Sequence, residues 1–312
     1  MKKTLIAMAA IAAAGVASAQ SSVTLYGVAD VALSKSTGTS AKLASPGTMN
    51  NGTSRWGIKG EEDLGGGLKA GFNYEAGLSL EDGSTGQGGG NYFSRHSYMY
   101  LAGGFGKLSL GRTLNPTFYS VATWELTGAA NYSAAISQFG AVLGGARNSG
   151  QIAYTTPNMG GFDATIGYVL KGNREDEKAK YDLNARYING PFRVALGYNK
   201  VQDAEKNVTL GGRYTMGDFA VALSYNDPAG VSKGFTIGGM AKAGPVSLAL
   251  DIARDTEAKD TDLMVEAKYP LSKRTFAYVA VLRDGEKKNG ALKAADAGEA
   301  STGFGLGIRH NF

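Results

Sequence analysis

The stretch FDATIGYVL (residues 162–170) is followed, after a polar interval, by YDLNARYI (181–188) and then by FRVALGYNK (192–200). In the first, Phe162, Ala164, Ile166, Tyr168 and Leu170 share one parity, with Asp163, Thr165 and Gly167 on the other. The second sets Tyr181, Leu183, Ala185 and Tyr187 against Asp182, Asn184 and Arg186; the third sets Phe192, Val194, Leu196 and Tyr198 against Arg193, Gly197 and Asn199. Successive residues of a β-strand point to opposite faces, so this period of two predicts strands with one apolar and one polar face. Residues 208–215, 219–226, 246–251, 263–271 and 276–283 repeat the scheme. The chain reads as all-β.

Alternation alone does not separate a soluble barrel from a membrane barrel, because both alternate and differ only in which face is outside. The polar parity here carries Asp, Arg, Asn and Lys, and the apolar parity tends to begin or end on Phe or Tyr. Aromatic ends on an apolar band match the interfacial girdles of a transmembrane barrel, and a charged opposite face matches a water-filled lumen. The N-terminus points the same way. In MKKTLIAMAAIAAAGVASAQ, Lys2 and Lys3 precede an apolar run of about a dozen residues that ends in Ala17-Ser18-Ala19. This is the pattern of a secretory signal peptide, too short for the roughly 20 residues of a membrane helix. Residues 1–19 are therefore expected to be removed after Ala19, leaving 20–312 as the barrel domain.

Loss of that leader takes two lysines and lowers the formal charge from +5 to +3. So mild an excess, spread along the chain, does not suit a nucleic-acid binder. There is no cysteine, and His96 and His310 are far apart, so disulfides, thiolate metal sites and the usual zinc constellations are not available. No cofactor is called for. After Gln20 no apolar run is long enough for a membrane helix, and 46 glycines are about twice the usual ~7% share. A secreted chain without membrane helices can still cross a bilayer in one form, a closed barrel that satisfies its own backbone.

Turn signals alternate between short and long. Short ones include Asn189-Gly190-Pro191 and Met216-Gly217-Asp218; long polar ones span 35–52, 81–91, 172–180, 203–206, 227–233, 256–261 and 286–301. Seven of each, with the longer segment 114–147, give fifteen connections and about sixteen strands, an even number as single-chain bacterial barrels have. Short turns would lie in the periplasm and long loops outside the cell. The chain then ends STGFGLGIRHNF (301–312), with Phe304, Leu306, Ile308, His310 and Phe312 on one face.

The blocks SSVTLYGVADVAL (21–33), SRWGIKGEEDLGGGLKAGFNYE (54–75), FSRHSYMYLAGGFGKLSLGR (93–112) and GFGLGIRHNF (303–312) resemble Gram-negative porins of the β-proteobacterial and neisserial type, across essentially the whole expected mature chain. The resemblance implies a sixteen-stranded transmembrane antiparallel barrel with an inward-folded third loop. It implies a homotrimer in outer-membrane lipid and lipopolysaccharide, with the final Phe312 read by the barrel-assembly machinery. A Pro-Glu-Phe element common in the third loop of that family is absent here.

The segment 114–147 exceeds the ~12–15 residues of an ordinary loop and holds Phe118, Tyr119, Trp124, Tyr132 and Phe139, so it is expected to pack inward as a constriction. Its only carboxylate is Glu125, and Arg147 closes it. Arg55 shares parity with Lys59 while Trp56 and Ile58 point to lipid; Arg95 lies opposite in parity to Tyr98 and Tyr100, and so is expected to look inward. The resemblance places constriction arginines of anion-selective relatives at Arg55, Arg95 and Arg147. Arg112 is a further candidate, and Lys59, Arg186, Arg193 and Arg213 are expected to face the lumen and tune its field. Fixed positive charge in a low-dielectric wall concentrates small anions. The expected function is passive diffusion of small hydrophilic solutes with an anion bias; a channel specific for organic acids or phosphate would use the same arginines. A barrel enzyme is disfavoured because neither histidine is well placed as a base.

Overall fold

The structure, a computed structural model, describes residues 22–86, 91–285 and 300–312. The expected leader 1–19, the start at Gln20, part of the loop 81–91 and most of the loop 286–301 lie outside the described residues.

Among the described residues the wall is β1 (Ser22–Ser36), β2 (Lys42–Ala44), β3 (Arg55–Gly65), β4 (Leu68–Gly77), β5 (His96–Gly103), β6 (Gly106–Leu114), β7 (Arg147–Thr155), β8 (Phe162–Val169), β9 (Lys180–Asn189), β10 (Phe192–Val201), β11 (Lys206–Met216), β12 (Phe219–Asp227), β13 (Gly234–Ala243), β14 (Val246–Asp255), β15 (Asp260–Pro270), β16 (Thr275–Asp284) and β17 (Ser301–Asn311). Sequential strands pair antiparallel, and β1 pairs with β3 on one side and β17 on the other. The three-residue β2 only extends the β3 side of β1. The result is a closed antiparallel barrel of sixteen wall strands. Its seam is completed by Gly27 and Phe312, which exchange both backbone hydrogen bonds at 3.1 and 3.0 Å.

The exposures of the two faces decide which solvent surrounds the wall. Ile166, Leu223 and Phe219 are 59%, 58% and 59% exposed, while Asp30, Asn184, Thr209 and Asp262 on the opposite parity are at most 1% exposed. A soluble barrel is built the other way round. An apolar band of this extent is insoluble in water and at home in hydrocarbon.

The enclosed face is partly filled by two chain segments. One is 115–146, with helices α1 (Pro116–Trp124) and α2 (Ala134–Phe139). Asn115 caps α1 by accepting from the Phe118 amide at 2.7 Å, and Pro116 starts the helix where its missing N–H costs nothing. Ser120 Oγ then donates to Asn184 Oδ1 (2.8 Å), and Asn199 Nδ2 donates to Val142 O (2.8 Å) and Thr117 Oγ1 (3.1 Å). So α1 lies on the polar parity of β8–β12, and α2 on that of β14–β16. The Trp124 indole occupies the space over Gly211, where any Cβ would overlap it. Gly211→Val is therefore expected to destabilise the barrel by about 1–3 kcal/mol through overpacking. An unchanged thermal midpoint of the detergent-solubilised protein would show that α1 does not rest there.

The second segment departs from the sequence reading, which makes 35–52 a wholly external loop. Residues 45–54 fold back onto the enclosed face of β1, β16 and β17. The reason is local. Asp30 on β1 accepts from Asn50 Nδ2 (2.9 Å), the Gly52 amide (3.0 Å) and Tyr278 Oη (2.6 Å), and Met49 lies against Gly303 and Gly305, which have no side chains to obstruct it. The two segments then lock together. Asn51 Nδ2 donates to Tyr132 Oη (2.8 Å), Tyr132 donates to Glu266, and Asn131 Nδ2 donates to Gly47 O (3.0 Å).

Parity on β5 also needs correcting. Met99 and Leu101 are the exposed residues, at 60% and 43%, so Tyr98 and Tyr100 face inward with His96. Lys107 Nζ sits 4.3 Å from the centre of the Tyr100 ring, whose hydroxyl donates to Glu61 (2.8 Å). Arg95 does reach the interior, but from the bend before β5 rather than by alternation with those tyrosines.

Candidate functional site

The strand register brings three arginines from distant parts of the chain around one carboxylate. Glu75 sits near the end of β4 on the enclosed parity, with Gly71 and Asn73, and is 4% exposed. Arg95 Nε donates to its Oε1 at 2.7 Å, Arg55 Nε lies 3.5 Å from its Oε2, and Tyr26 Oη donates to Oε2 at 3.0 Å. Arg147, the first residue of β7, joins through its Nε–H, which donates to the Arg95 carbonyl at 2.9 Å. The Arg95 amide is bonded to the Glu75 carbonyl (3.1 Å), so the bend that carries Arg95 is fixed to the strand that carries its partner. His96 Nε2 is 4.0 Å from Glu75 Oε1. Arg55 also donates to the Thr53 carbonyl at 2.9 Å, so the inward segment 45–54 helps set its direction.

The cluster thus holds Arg55, Arg95 and Arg147, as the sequence indicates, together with Glu75, which sequence reasoning missed. The signal for Glu75 was present: the parity that puts Asn73 inward on β4 puts Glu75 inward too.

Other candidates fall elsewhere. Arg112 occupies a bulge on β6, where its Nε–H donates to Ser94 O and its Nη1 to Ser149 Oγ, both at 2.6 Å. With Arg147, Asn148 and Lys180 it lines a separate cavity of about 410 Å³ toward the loop 172–180. On that loop Arg174 grips Asp176 at 2.6 and 2.9 Å, and this contact holds the exposed Asp176 carboxyl below its ordinary range. Glu125 does not join the arginines. It is 2% exposed and accepts from Thr127 Oγ1 and the Ala129 amide, both at 2.6 Å, so it braces the turn after α1.

Lys59, Arg186, Arg193 and Arg213 all take the enclosed parity. Arg186 is paired with Asp163 at 2.7 Å and, with Tyr98, Lys107 and Tyr119, lines a cavity of about 270 Å³ beside α1. Arg193 and Arg213 stand directly opposite each other on β10 and β11. Lys59 Nζ lies 5.5 Å from the centre of the Tyr26 ring.

A closed sixteen-strand wall with apolar residues outside and charged residues enclosed defines an outer-membrane β-barrel. Residues 4–289 match the family model described as Gram-negative porin, and the chain belongs to that family. It is 41% identical over 216 residues to outer membrane porin protein 32 of Delftia acidovorans, a match covering 63% of this chain and 59% of the relative. It is 30% identical over 201 residues to the major outer membrane protein P.IB of Neisseria gonorrhoeae, covering 62% and 55%. These matches span less than two thirds of the relatives' lengths. Among solved structures, the anion-selective porin from Comamonas acidovorans superposes with a TM-score of 0.75 at 29% identity, covering 94% of this chain and 100% of the other. OmpT of Vibrio cholerae, as a loop L8 deletion mutant, gives 0.67 at 16% identity over 94% and 99%, which is a likeness of fold.

Proposed function

We propose that the protein forms a water-filled channel for passive diffusion of small hydrophilic solutes across the outer membrane, passing anions in preference to cations. The observation that carries this reading is the gathering of Arg55, Arg95 and Arg147 about the single carboxylate of Glu75. They stand on β3, β7 and the bend before β5, while α1 packs on β8–β12 and α2 on β14–β16. The segment 115–146 narrows the lumen from one side, and solutes pass between it and the arginines. Excess positive charge there, in a low-dielectric wall, raises the local concentration of anions. The anion-selective relative and its shared fold support the same reading. Family and fold point to a channel rather than an enzyme.

In the same reading, residues 1–19 are a leader cleaved after Ala19, the barrel functions as a homotrimer in lipid and lipopolysaccharide, and Phe312 is read by the assembly machinery. The seam bonds between Phe312 and Gly27 give that residue a structural role as well.

The test is a planar-bilayer recording in a KCl gradient. The wild-type reversal potential is expected to carry the anion sign, and Arg55→Gln to lower the anion-to-cation permeability ratio about two- to fourfold, by screened Coulomb attraction over ~5–7 Å in water. A wild-type potential at zero or of cation sign would overturn the reading.

A further inference from the structure

We infer that Arg309 on β17 is a fourth selectivity-determining charge of the pore, held beside the arginine cluster by Asn51. The inference rests on the channel reading above and extends it to the opposite side of the barrel seam. Arg309 shares the enclosed parity with Gly303, Gly305 and Gly307, while its neighbours Phe304, Leu306 and Ile308 are exposed to the surroundings at 43%, 52% and 44%.

Its position relative to the cluster follows from Gly52. The point where a Cβ of Gly52 would stand is 2.9 Å from Arg309 Nη1 and 4.0 Å from Arg55 Nη1. The two guanidinium nitrogens are therefore no more than about 6.9 Å apart. Like charges this close repel unless water or an anion screens them.

The simplest competing role for Arg309 is a structural ion pair with Asp30, which faces it in the β1–β17 register. The hydrogen bonds speak against that. Asp30 is fully buried, and its two oxygens already accept from Asn50, Gly52 and Tyr278. Among the described residues Arg309 has no carboxylate oxygen within 4.0 Å. Its bonds go to neutral amides, from Nη1 to Asn51 Oδ1 at 2.9 Å and from Nε to Asn311 Oδ1 at 3.3 Å. Neutral acceptors fix the guanidinium without cancelling its charge, which Asp30 offsets only in part, through space and without a direct contact, and which acts on Arg95 as well. Asn51 is well suited to the task, because its Nδ2 donates to both Tyr132 Oη and Glu266 Oε2, so its carbonyl is presented to Arg309 by a locked side chain. Four guanidiniums and one contacting carboxylate then share this part of the lumen.

The experiment is the reversal potential of Arg309→Gln and Arg55→Gln channels in the same KCl gradient. Arg309→Gln is expected to lower the anion-to-cation permeability ratio roughly twofold, less than Arg55→Gln, as suits a charge farther from the solute path. If Arg55→Gln shifts the potential and Arg309→Gln does not, the inference is overturned and the channel reading stands. If the wild-type channel shows no anion preference, both fall.

A second measurement does not depend on the glutamine variant inserting. The chain has no cysteine, so Arg309→Cys offers a unique thiol in the assembled channel. Treatment with a cationic methanethiosulfonate is expected to restore the anion preference, and treatment with an anionic one to lower it further. A thiol that fails to react, or that reacts without moving the reversal potential, overturns the inference.

Discussion

Glu75→Gln is expected to make the channel about fourfold more anion-selective while making the folded barrel less stable. The carboxylate is the only one in contact with Arg55 and Arg95 among the described residues, at 3.5 and 2.7 Å. Removing its charge leaves these arginines uncompensated beside the path that solutes take between them and the segment 115–146. At ~5 Å in water a unit charge is worth about 0.8 kcal/mol, roughly half of which survives screening at physiological ionic strength. The effect acts with opposite sign on anion and cation, which doubles it in the ratio. The stability change runs the other way. Gln can still accept from Tyr26 and from Arg95, but as a neutral group, so a loss of about 1–2 kcal/mol is expected from weakening a charge-assisted pair whose arginines can rehydrate. Bilayer recording reads the first effect and a thermal melt in detergent the second. A ratio that stays level or falls in Glu75→Gln would mean that solutes do not pass within reach of this cluster, whatever the sign of the wild-type potential.

How much of this was legible beforehand depends on the kind of information each residue carries. The stretch 219–226 alternates without interruption, and β12 runs over Phe219–Asp227; residues 192–200 compare with Phe192–Val201. Such strands are legible because lipid on one side and polar groups on the other impose the same period at every step. The count of sixteen follows from turns of two alternating lengths. Aromatic residues misled on β5 and β16, because a tyrosine suits either face. Tyr98, Tyr100 and Tyr278 all turn inward, where their hydroxyls or rings meet polar and charged partners. Parity is decided there by the residues between them, Met99 and Val279 for example, and not by the aromatic positions.

The site divides in the same way. Arg55 and Arg147 were legible from parity, loop position and resemblance, and Glu75 was within reach of the first of these. Glu125 and Arg309 were not, because their roles depend on contacts far apart in sequence. Whether a loop carboxylate faces the pore or caps its own turn is settled by the Thr127 and Ala129 groups it meets on folding. Arg309 acquires its orientation from Asn51, 258 residues away. The inward path of residues 45–54 belongs here too, since a polar Gly- and Asn-containing stretch reads as an external loop until Asp30 is seen to bind it.

That dependence on Asp30 yields the largest stability effect expected for a single substitution. Asp30→Ala should lower stability by about 3–5 kcal/mol, the cost of removing one member of a buried, charge-assisted network and stranding its partners. The Gly52 amide and Tyr278 Oη lose their acceptor, and Asn50 Nδ2 keeps only its bond to the Ala44 carbonyl and a longer one to the Asp30 backbone, all in a region from which water is excluded. At ~2–4 °C per kcal/mol for a chain of this size, the thermal midpoint in detergent should drop by roughly 10 °C. Asp30→Asn, which keeps one oxygen acceptor, should lose less. The consequence reaches past stability, because the residues that Asp30 anchors flank Asn51, which in turn holds Tyr132 of the inward segment and Arg309 of the wall. An Asp30→Ala barrel that melts at the wild-type temperature would mean that residues 45–54 stay in place without their buried carboxylate, and the anchoring of both Arg309 and the segment 115–146 would have to be sought in other contacts.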